Sequence, residues 1–142
     1  MKRIATFICL CFLLHSSFAL AEEALLLFGG SDHRTFLGCL NCDSNSQSSI
    51  WNPYGKYGSP YNSESIWNKY GNYGSEYSSY SPWNKYTSTP PIVVDRSGKS
   101  YGYLTINEYK SPRANFSLAI ILYKYHDSIA DDVTSWYDKI FK

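Results

Sequence analysis

A 16-residue internal repeat constrains the fold of this chain more than any other feature of its sequence. The tetrad Ser-x-Trp-Asn occurs three times at this spacing, starting at Ser49, Ser65 and Ser81. The first two units also share the sequence Tyr-Gly-x-Tyr-Gly-Ser, over 54–59 and 70–75. A fixed period indicates that one small structural unit was duplicated and that its copies stack on one another.

Within each unit an aromatic residue recurs at every third position. Glycines and prolines, such as Pro53, Gly55 and Gly58, make a regular helix costly, and the strict alternation of an amphipathic strand is missing. The segment 49–86 is therefore predicted to form a succession of turns, in which Asn and Gly adopt left-handed conformations and the rings line one side.

The composition of the repeat leaves two interpretations of its rings open. Residues 49–86 contain Ile50 and Ile66 but no Leu, Val, Ala, Met or Phe, so this segment needs its flanks or a partner in order to fold. The Trp and Tyr rings either form a substitute core or present a surface to a ligand, to which Asn side chains add hydrogen bonds. The second interpretation predicts ligand-binding residues that recur from unit to unit: Trp51, Asn52, Tyr54, Tyr57, Trp67, Asn68, Tyr70, Tyr73, Trp83, Asn84 and Tyr86.

The start of the chain has the pattern of a secretory signal peptide. A short basic start precedes an apolar stretch over 4–14, and the small residues Ala19 and Ala21 mark a cleavage site. We predict a signal peptide over 1–21 and a mature chain over 22–142 that is secreted or periplasmic. The apolar stretch is too short to span a bilayer, so no transmembrane segment is predicted after cleavage.

Two cysteines remain in the mature chain, Cys39 and Cys42, and their spacing has three interpretations. A local disulfide is favoured in an oxidising compartment. A redox-active pair needs its first cysteine at a helix N-terminus, and the Ser- and Asn-rich sequence that follows is a poor helix former. A metal site that includes His33 would lack a fourth ligand nearby. We therefore predict the disulfide and no metal site.

The flanks of the repeat have the sequence of an ordinary scaffold. Residues 25–28 and 36–40 are predicted to form short strands, the first of which is stopped by two glycines. Apolar β-branched and aromatic residues on either side of a turn at 95–98 predict a β-hairpin over 91–106. The apolar segment 115–125 fits a helix or a strand equally well.

An apolar stripe at helical spacing lies near the end of the chain. Ile129, Val133, Trp136 and Ile140 fall on one face, which predicts a helix over 128–141. The predicted fold class is α+β: a small mixed domain with short antiparallel strands, a turn-rich aromatic repeat segment and a C-terminal helix.

The charge of the chain excludes some classes of partner. The full sequence carries 13 basic and 12 acidic residues, and signal cleavage would remove two of the basic ones. A near-neutral chain without blocks of like charge lacks the electrostatic attraction that dominates nucleic-acid binding. No nucleic-acid partner is predicted, and polybasic docking onto a membrane surface is disfavoured.

Catalytic motifs are not visible in the sequence, which has no phosphate-binding loop, paired zinc motif or nucleophile elbow. His33 and His126 are the only histidines of the mature chain. We predict no catalytic residues and no cofactor, and we interpret the protein as an exported binding module for an envelope glycan or protein. The alternatives are a structural, self-assembling repeat protein and, less favoured, a small hydrolase or nuclease that uses one of these histidines.

Several short motifs occur together in this chain. Phe28-Gly29-Gly30 is followed by Leu-Gly-Cys-Leu-Asn-Cys over 37–42, by the repeated Ser-Ile-Trp-Asn-x-Tyr-Gly-x-Tyr-Gly-Ser, and by Pro-Ile-Val-Val-Asp over 91–95 with Tyr-Gly-Tyr-Leu-Thr over 101–105. In this combination, residues 25–110 resemble a family of small secreted bacterial proteins of uncharacterised function. The resemblance implies a bacterial, exported protein and carries no activity with it.

Overall fold

The computed structural model describes residues 22–142, and the predicted signal peptide over 1–21 lies outside them. A four-stranded sheet contains β1 at Leu26–Gly29, β2 at Thr35–Cys39, β3 at Ile92–Val94 and β4 at Ser100–Tyr103. The strand order is β2-β1-β3-β4, and every neighbouring pair is antiparallel. This sheet, together with two helices near the end of the chain, confirms the predicted α+β class.

One face of the sheet joins the core, and its edge strands are partly covered. Leu27 of β1 lies opposite Val93 of β3, and both side chains are fully buried. Beyond the named strands, Cys39 of β2 forms a parallel bridge with Ser49 and Tyr103 of β4 forms one with Arg113. These bridges occupy backbone groups that an open sheet edge would otherwise present to other chains.

The hairpin of β3 and β4 lies within the predicted range 91–106, and Asp95 holds its turn. The carboxylate accepts the N–H groups of Ser97 (2.9 Å) and Lys99 (3.0 Å), the Ser97 hydroxyl (2.6 Å) and the Tyr101 hydroxyl (3.0 Å). The Ser97 hydroxyl, aided by the other donors, lowers the pKa of Asp95 because hydrogen bonds stabilise the ionised carboxylate.

Two helices, α1 at Ser117–Asp131 and α2 at Val133–Phe141, replace the single helix predicted over 128–141. Asp132 separates them, because its backbone leaves the helical region and its carboxylate accepts the Ser135 N–H as the N-cap of α2. The apolar stripe therefore combines Ile129 of α1 with residues of α2. The ambiguous segment 115–125 belongs mostly to α1.

Residues 49–87 form a stack of coils in which the chain turns at short, regular steps. In the first two coils, the carbonyl of each turn residue accepts the N–H of the next turn residue. Four steps of three residues and one step of four make one coil, which accounts for the period of 16. The second coil repeats this arrangement from residue 65, and a third, incomplete coil starts at residue 81. The turn residues of the first coil are Ser49, Asn52, Gly55, Ser59 and Asn62.

Side chains of the turn residues reinforce these turns. At all ten serine and asparagine turn residues from 49 to 84, the side-chain oxygen accepts the N–H of the residue two positions later. Asx and ST turns of this kind compete with helices and strands for the backbone N–H. The predicted succession of turns is therefore held by local hydrogen bonds. The left-handed conformations predicted for its Asn and Gly residues do not occur: among residues 22–142, the positive φ angles are at His33 and at Gly30, Gly38, Gly98 and Gly102, all outside 49–87.

The first coil continues directly from the sheet. The Cys39 N–H donates to the Ser48 carbonyl at 2.7 Å, and the Ile50 N–H donates to the Cys39 carbonyl at 3.1 Å. Cys39 and Cys42 form a disulfide, with their Cα atoms 5.5 Å apart, as predicted. This short bridge fixes the turn between β2 and the first coil.

Both helices lie against the coils and share one apolar core with the sheet. Tyr137 and Phe141 of α2 pack on Trp51, with ring centroids 6.1 and 5.6 Å from the indole. The fully buried members of this core come from all three parts of the molecule: Leu27, Leu37, Leu40, Ile50, Trp51, Ile66, Val93, Leu104, Ala114, Ala119, Leu122 and Ile129.

Candidate functional site

The tryptophans of the repeat form a stack inside the coils. Trp51, Trp67 and Trp83 are 0%, 1% and 5% exposed. Their ring centroids lie 6.0 Å apart between the first two and 5.7 Å apart between the second two. The predicted contact of these indoles with a ligand is therefore corrected: Trp51 and Trp67 have almost no accessible surface and Trp83 keeps only a small part of its own, so the three rings are core.

Each indole also donates a hydrogen bond to the preceding layer. The Nε1 atoms of Trp67 and Trp83 donate at 2.7 Å to the carbonyls of Ile50 and Ile66. Trp51 begins the series by donating to the Leu40 carbonyl beside the sheet. The indole stack thus satisfies backbone acceptors that the coils bury.

The recurrent asparagines, predicted to bind ligand, are engaged by backbone groups of their own coil and of the residues just before it. The Oδ1 atom of Asn68 accepts the Tyr70 N–H, and its Nδ2 atom donates to the Asn62 carbonyl six residues earlier. Asn52 and Asn84 make the same two kinds of hydrogen bond. Turn geometry therefore accounts for the recurrence of Asn without a ligand.

Tyr57 and Tyr73, also predicted to bind ligand, are half-buried and join the coils to the sheet. The Tyr57 ring meets the Phe36 ring edge-on at 4.9 Å, and Tyr73 packs against the apolar core. Each follows a glycine turn residue, Gly55 or Gly71, by two positions, so the two tyrosines belong to the same step of successive coils.

Three of the predicted residues do present their rings to solvent. Tyr54, Tyr70 and Tyr86 are 97%, 100% and 78% exposed, and we call them the tyrosine row. Each follows an asparagine turn residue whose side chain accepts its backbone N–H at 3.0–3.1 Å. The same hydrogen bond thus places the backbone of these tyrosines equivalently in three successive coils.

A second pair of exposed rings was missed by the prediction. Tyr61 and Tyr77 are 91% and 86% exposed and also lie 16 residues apart. The repeat alignment contains this signal, because the two tyrosines correspond. Each follows a serine turn residue, Ser59 or Ser75, so this pair lies on a different turn of the coil from the tyrosine row.

Two contiguous grooves border the row at the third coil. One, of about 510 Å³, is lined by residues that include Tyr70 and Trp83. The other, of about 640 Å³, is lined by residues that include Tyr86 and Lys85. The lining residues that both grooves share are Glu76, Tyr77, Trp83, His126 and Asp127.

His126 closes the indole stack from the side of the helices. Its ring lies 4.6 Å from the Trp83 ring with only 10° between their planes, and its Nδ1 atom is 3.1 Å from the Tyr123 carbonyl. The sequence pattern did not predict this role, since the helix predicted over 128–141 begins after His126. His126 instead lies within α1, which carries it onto the coils.

Charges of both signs surround the grooves. Lys69 is paired with Asp131 at 3.1 Å, and Asp127 is 3.8 Å from the His126 Nε2 atom. The Glu76 carboxylate raises the pKa of the Tyr77 hydroxyl, first through a hydrogen bond and then through its charge, because both favour the protonated phenol. Neither sign dominates this surface.

Groups with catalytic or metal-binding chemistry are scattered in the part of the chain that the structure describes. The His33 Nε2 atom lies 2.9 Å from the Pro90 carbonyl, and the repeat hydroxyls serve turn backbone. Among residues 22–142, no group of three or more His, Cys, Asp or Glu side chains could hold a metal ion. Within the same residues, no helix has the length and apolar character needed to cross a membrane.

Comparison of this chain with protein-family models, with curated proteins and with solved structures found no match.

Proposed function

We propose that this protein is an exported, non-catalytic binding module that binds a neutral or weakly charged envelope polysaccharide along the tyrosine row. The carrying observation is that Tyr54, Tyr70 and Tyr86 are exposed at the same position of successive coils. Their backbones are fixed by hydrogen bonds, so binding requires ordering of the side chains alone.

Tyrosine suits a sugar ligand for chemical reasons. The face of its ring packs against the C–H groups of a pyranose, and its hydroxyl forms hydrogen bonds with sugar hydroxyls. Successive coils present this group at regular intervals, which matches a polymer of repeating sugar units. The grooves beside Tyr70 and Tyr86 add carboxylate and ammonium groups that can bind hydroxyls next to the row.

The electrostatics support a ligand of low charge. The full chain has a formal net charge of +1, and the described ion pairs, such as Lys69 with Asp131, neutralise part of the local charge. Long-range attraction should therefore contribute little, and we expect binding to depend only weakly on salt. The Cys39–Cys42 disulfide supports an oxidising destination such as the periplasm or the medium.

The two ends of the indole stack favour a binding module over the alternative of a self-assembling repeat protein. On one side, Trp51 donates to Leu40 next to the sheet and packs on α2. On the other side, the His126 ring covers Trp83 and the Ile106 N–H donates to the Pro82 carbonyl. A second copy could add coils to either end only by displacing these contacts.

Equilibrium binding of tyrosine variants to envelope polysaccharides tests the proposal. Tyr54→Ala, Tyr70→Ala and Tyr86→Ala should each weaken binding by roughly 5- to 10-fold, since each ring contributes about 1 kcal/mol. Affinity electrophoresis with soluble polysaccharides and co-sedimentation with peptidoglycan measure this effect. Tyr61→Ala is the matched control, because Tyr61 is equally exposed but lies outside the row.

The control should bind like the wild type, and all variants should keep the wild-type melting temperature. The proposal is wrong if the wild-type protein binds none of these polysaccharides at any salt concentration, or if the triple alanine variant binds as tightly as the wild type.

A further inference from the structure

Residues 105–109 repeat the hydrogen bonds of a repeat turn outside the periodic segment. The Thr105 Oγ1 atom accepts the Asn107 N–H at 3.0 Å, and the Asn107 Oδ1 atom accepts the Tyr109 N–H at 3.1 Å. In the third coil, Ser81 accepts the Trp83 N–H and Asn84 accepts the Tyr86 N–H in the same way. Thr105 and Asn107 are two positions apart, whereas Ser81 and Asn84 are three positions apart. Residues 105–109 also contain no tryptophan.

This segment lies on the third coil at the place where a fourth coil would begin. The carbonyls of Ile50 and Ile66 each accept a hydrogen bond from the next layer, in both cases from an indole. The next carbonyl in the series, that of Pro82, accepts the Ile106 N–H at 2.9 Å. His126 stacks on Trp83, where the fourth indole would lie.

Two contacts bring the segment around Tyr109 against the residues that follow Tyr86, the last member of the tyrosine row. The Asn107 Nδ2 atom donates to the Thr87 carbonyl at 3.0 Å, and the Lys110 Nζ atom donates to the Ser88 carbonyl at 2.9 Å. Thr87 and Ser88 directly follow Tyr86 in the chain. Tyr109 lies between Asn107 and Lys110, the two residues whose side chains donate to them. The Tyr109 side chain is 94% exposed.

From this geometry we infer that Tyr109 is the fourth ligand-contacting ring of the tyrosine row. The inference rests on the proposed function and extends it: the polysaccharide site continues from the third coil onto the segment that covers it. Tyr109 then has the chemistry of Tyr86, namely a ring face for the sugar C–H groups and a hydroxyl for hydrogen bonds. The site accordingly spans four rings, and longer oligosaccharides gain a further contact.

The test compares Tyr109→Ala with Tyr86→Ala on the polysaccharide that the wild-type protein binds in the assay above. We expect both changes to weaken binding by about 5- to 10-fold, because each removes one exposed ring of the same kind. Tyr109→Phe should retain most of the affinity, since it keeps the ring face. Tyr61→Ala again serves as the exposed-tyrosine control, and melting temperatures check that each variant is folded.

Oligosaccharides of increasing length provide a second readout. The wild-type affinity should still rise at lengths where that of Tyr109→Ala has reached its plateau. If Tyr86→Ala weakens binding and Tyr109→Ala does not, the site ends at the third coil and the inference about Tyr109 is overturned, while the proposed function stands. If none of the row variants weakens binding, the proposed function fails and the inference fails with it.

Discussion

A tryptophan of the repeat does two things at once. Its ring fills the space between coils, and its N–H satisfies a buried backbone carbonyl of the preceding layer. An unpaired carbonyl at such a place would be costly, because water cannot reach it. This double role explains why tryptophan, rather than a larger number of aliphatic residues, builds the interior of a segment that is otherwise polar.

Trp67→Phe separates the two roles. The substitution keeps an aromatic ring but leaves the Ile50 carbonyl without its donor. We expect a loss of about 1–3 kcal/mol in the free energy of unfolding, measured by chemical denaturation. Trp67→Ala, which also opens a cavity, should cost about 3–5 kcal/mol.

The half-buried Trp136 of α2 provides the control for that experiment. Trp136→Phe should change the stability by less than about 1 kcal/mol, because its ring is partly solvated and packs on Tyr125 and on the edge of the core, contacts that a phenyl ring keeps. Equal losses at positions 67 and 136 would show that the buried N–H adds nothing beyond the ring.

At the level of the coil, the single four-residue step is the point where the chain is most crowded. This step contains Gly58 in the first coil and Gly74 in the second. A Cβ atom at Gly58 would lie 2.0 Å from the Asn52 carbonyl oxygen, and one at Gly74 would lie 2.1 Å from that of Asn68. The repeat therefore needs glycine there because backbone passes against backbone, whatever dihedral angles the residue adopts.

Gly74→Ala and Gly71→Ala form a matched pair within one coil. At Gly74 the added methyl group overlaps backbone, so we expect at least about 3 kcal/mol of destabilisation or failure to fold. At Gly71 the nearest atom is the Asn68 amide nitrogen at 3.1 Å, which can move slightly, and the cost should be about 1 kcal/mol or less. Thermal and chemical unfolding of both variants would measure the difference, and similar stabilities would contradict the crowded step.

Over the whole molecule, the coils depend on partners at both ends. Leu40 supplies the first indole acceptor, α2 covers Trp51, and His126 with Ile106 completes the last layer. Repeat proteins with few units lose much of their stability without such end contacts. The sheet and the helices therefore serve as caps for the aromatic stack.

A fragment of residues 49–86 should consequently not fold alone, whereas residues 22–142 should fold. Amide chemical-shift dispersion and hydrogen exchange on the two proteins would show the contrast. We expect the fragment to exchange at unprotected rates, because its ends expose indoles and unpaired carbonyls to water. A dispersed, protected spectrum from the fragment would mean that the aromatic stack supports itself.

Short-range chemistry in the sequence specifies several parts of this fold. The regularly spaced Ser and Asn residues specify turns because their side chains bind backbone groups only a few residues away. The regularly spaced Gly residues specify turns because they have no side chain to obstruct a close passage of the backbone. The Cys39–Cys42 bridge is determined in the same local way, as is the hairpin, whose turn is held by a single carboxylate. The α+β class follows from these short-range preferences together with the apolar pattern of the flanks.

The tertiary structure alone decided which rings are buried and which are exposed. In a segment with an aromatic residue at every third position, both Trp and Tyr fit either side of a turn, so periodicity cannot assign an inner face. Packing against the helices and the sheet makes that choice, because the larger indole fills the interior and its N–H reaches a carbonyl of the preceding layer. The tyrosines are left outside on the same turns.

The stacking of His126 on Trp83 and the docking of the turn at 105–109 onto the third coil have the same physical origin. Each joins residues that are distant in sequence, or depends on how a helix docks, and no local pattern carries that information. The free energy that selects them comes from burying one continuous aromatic core, which exists only when the sheet, the coils and the helices are assembled together.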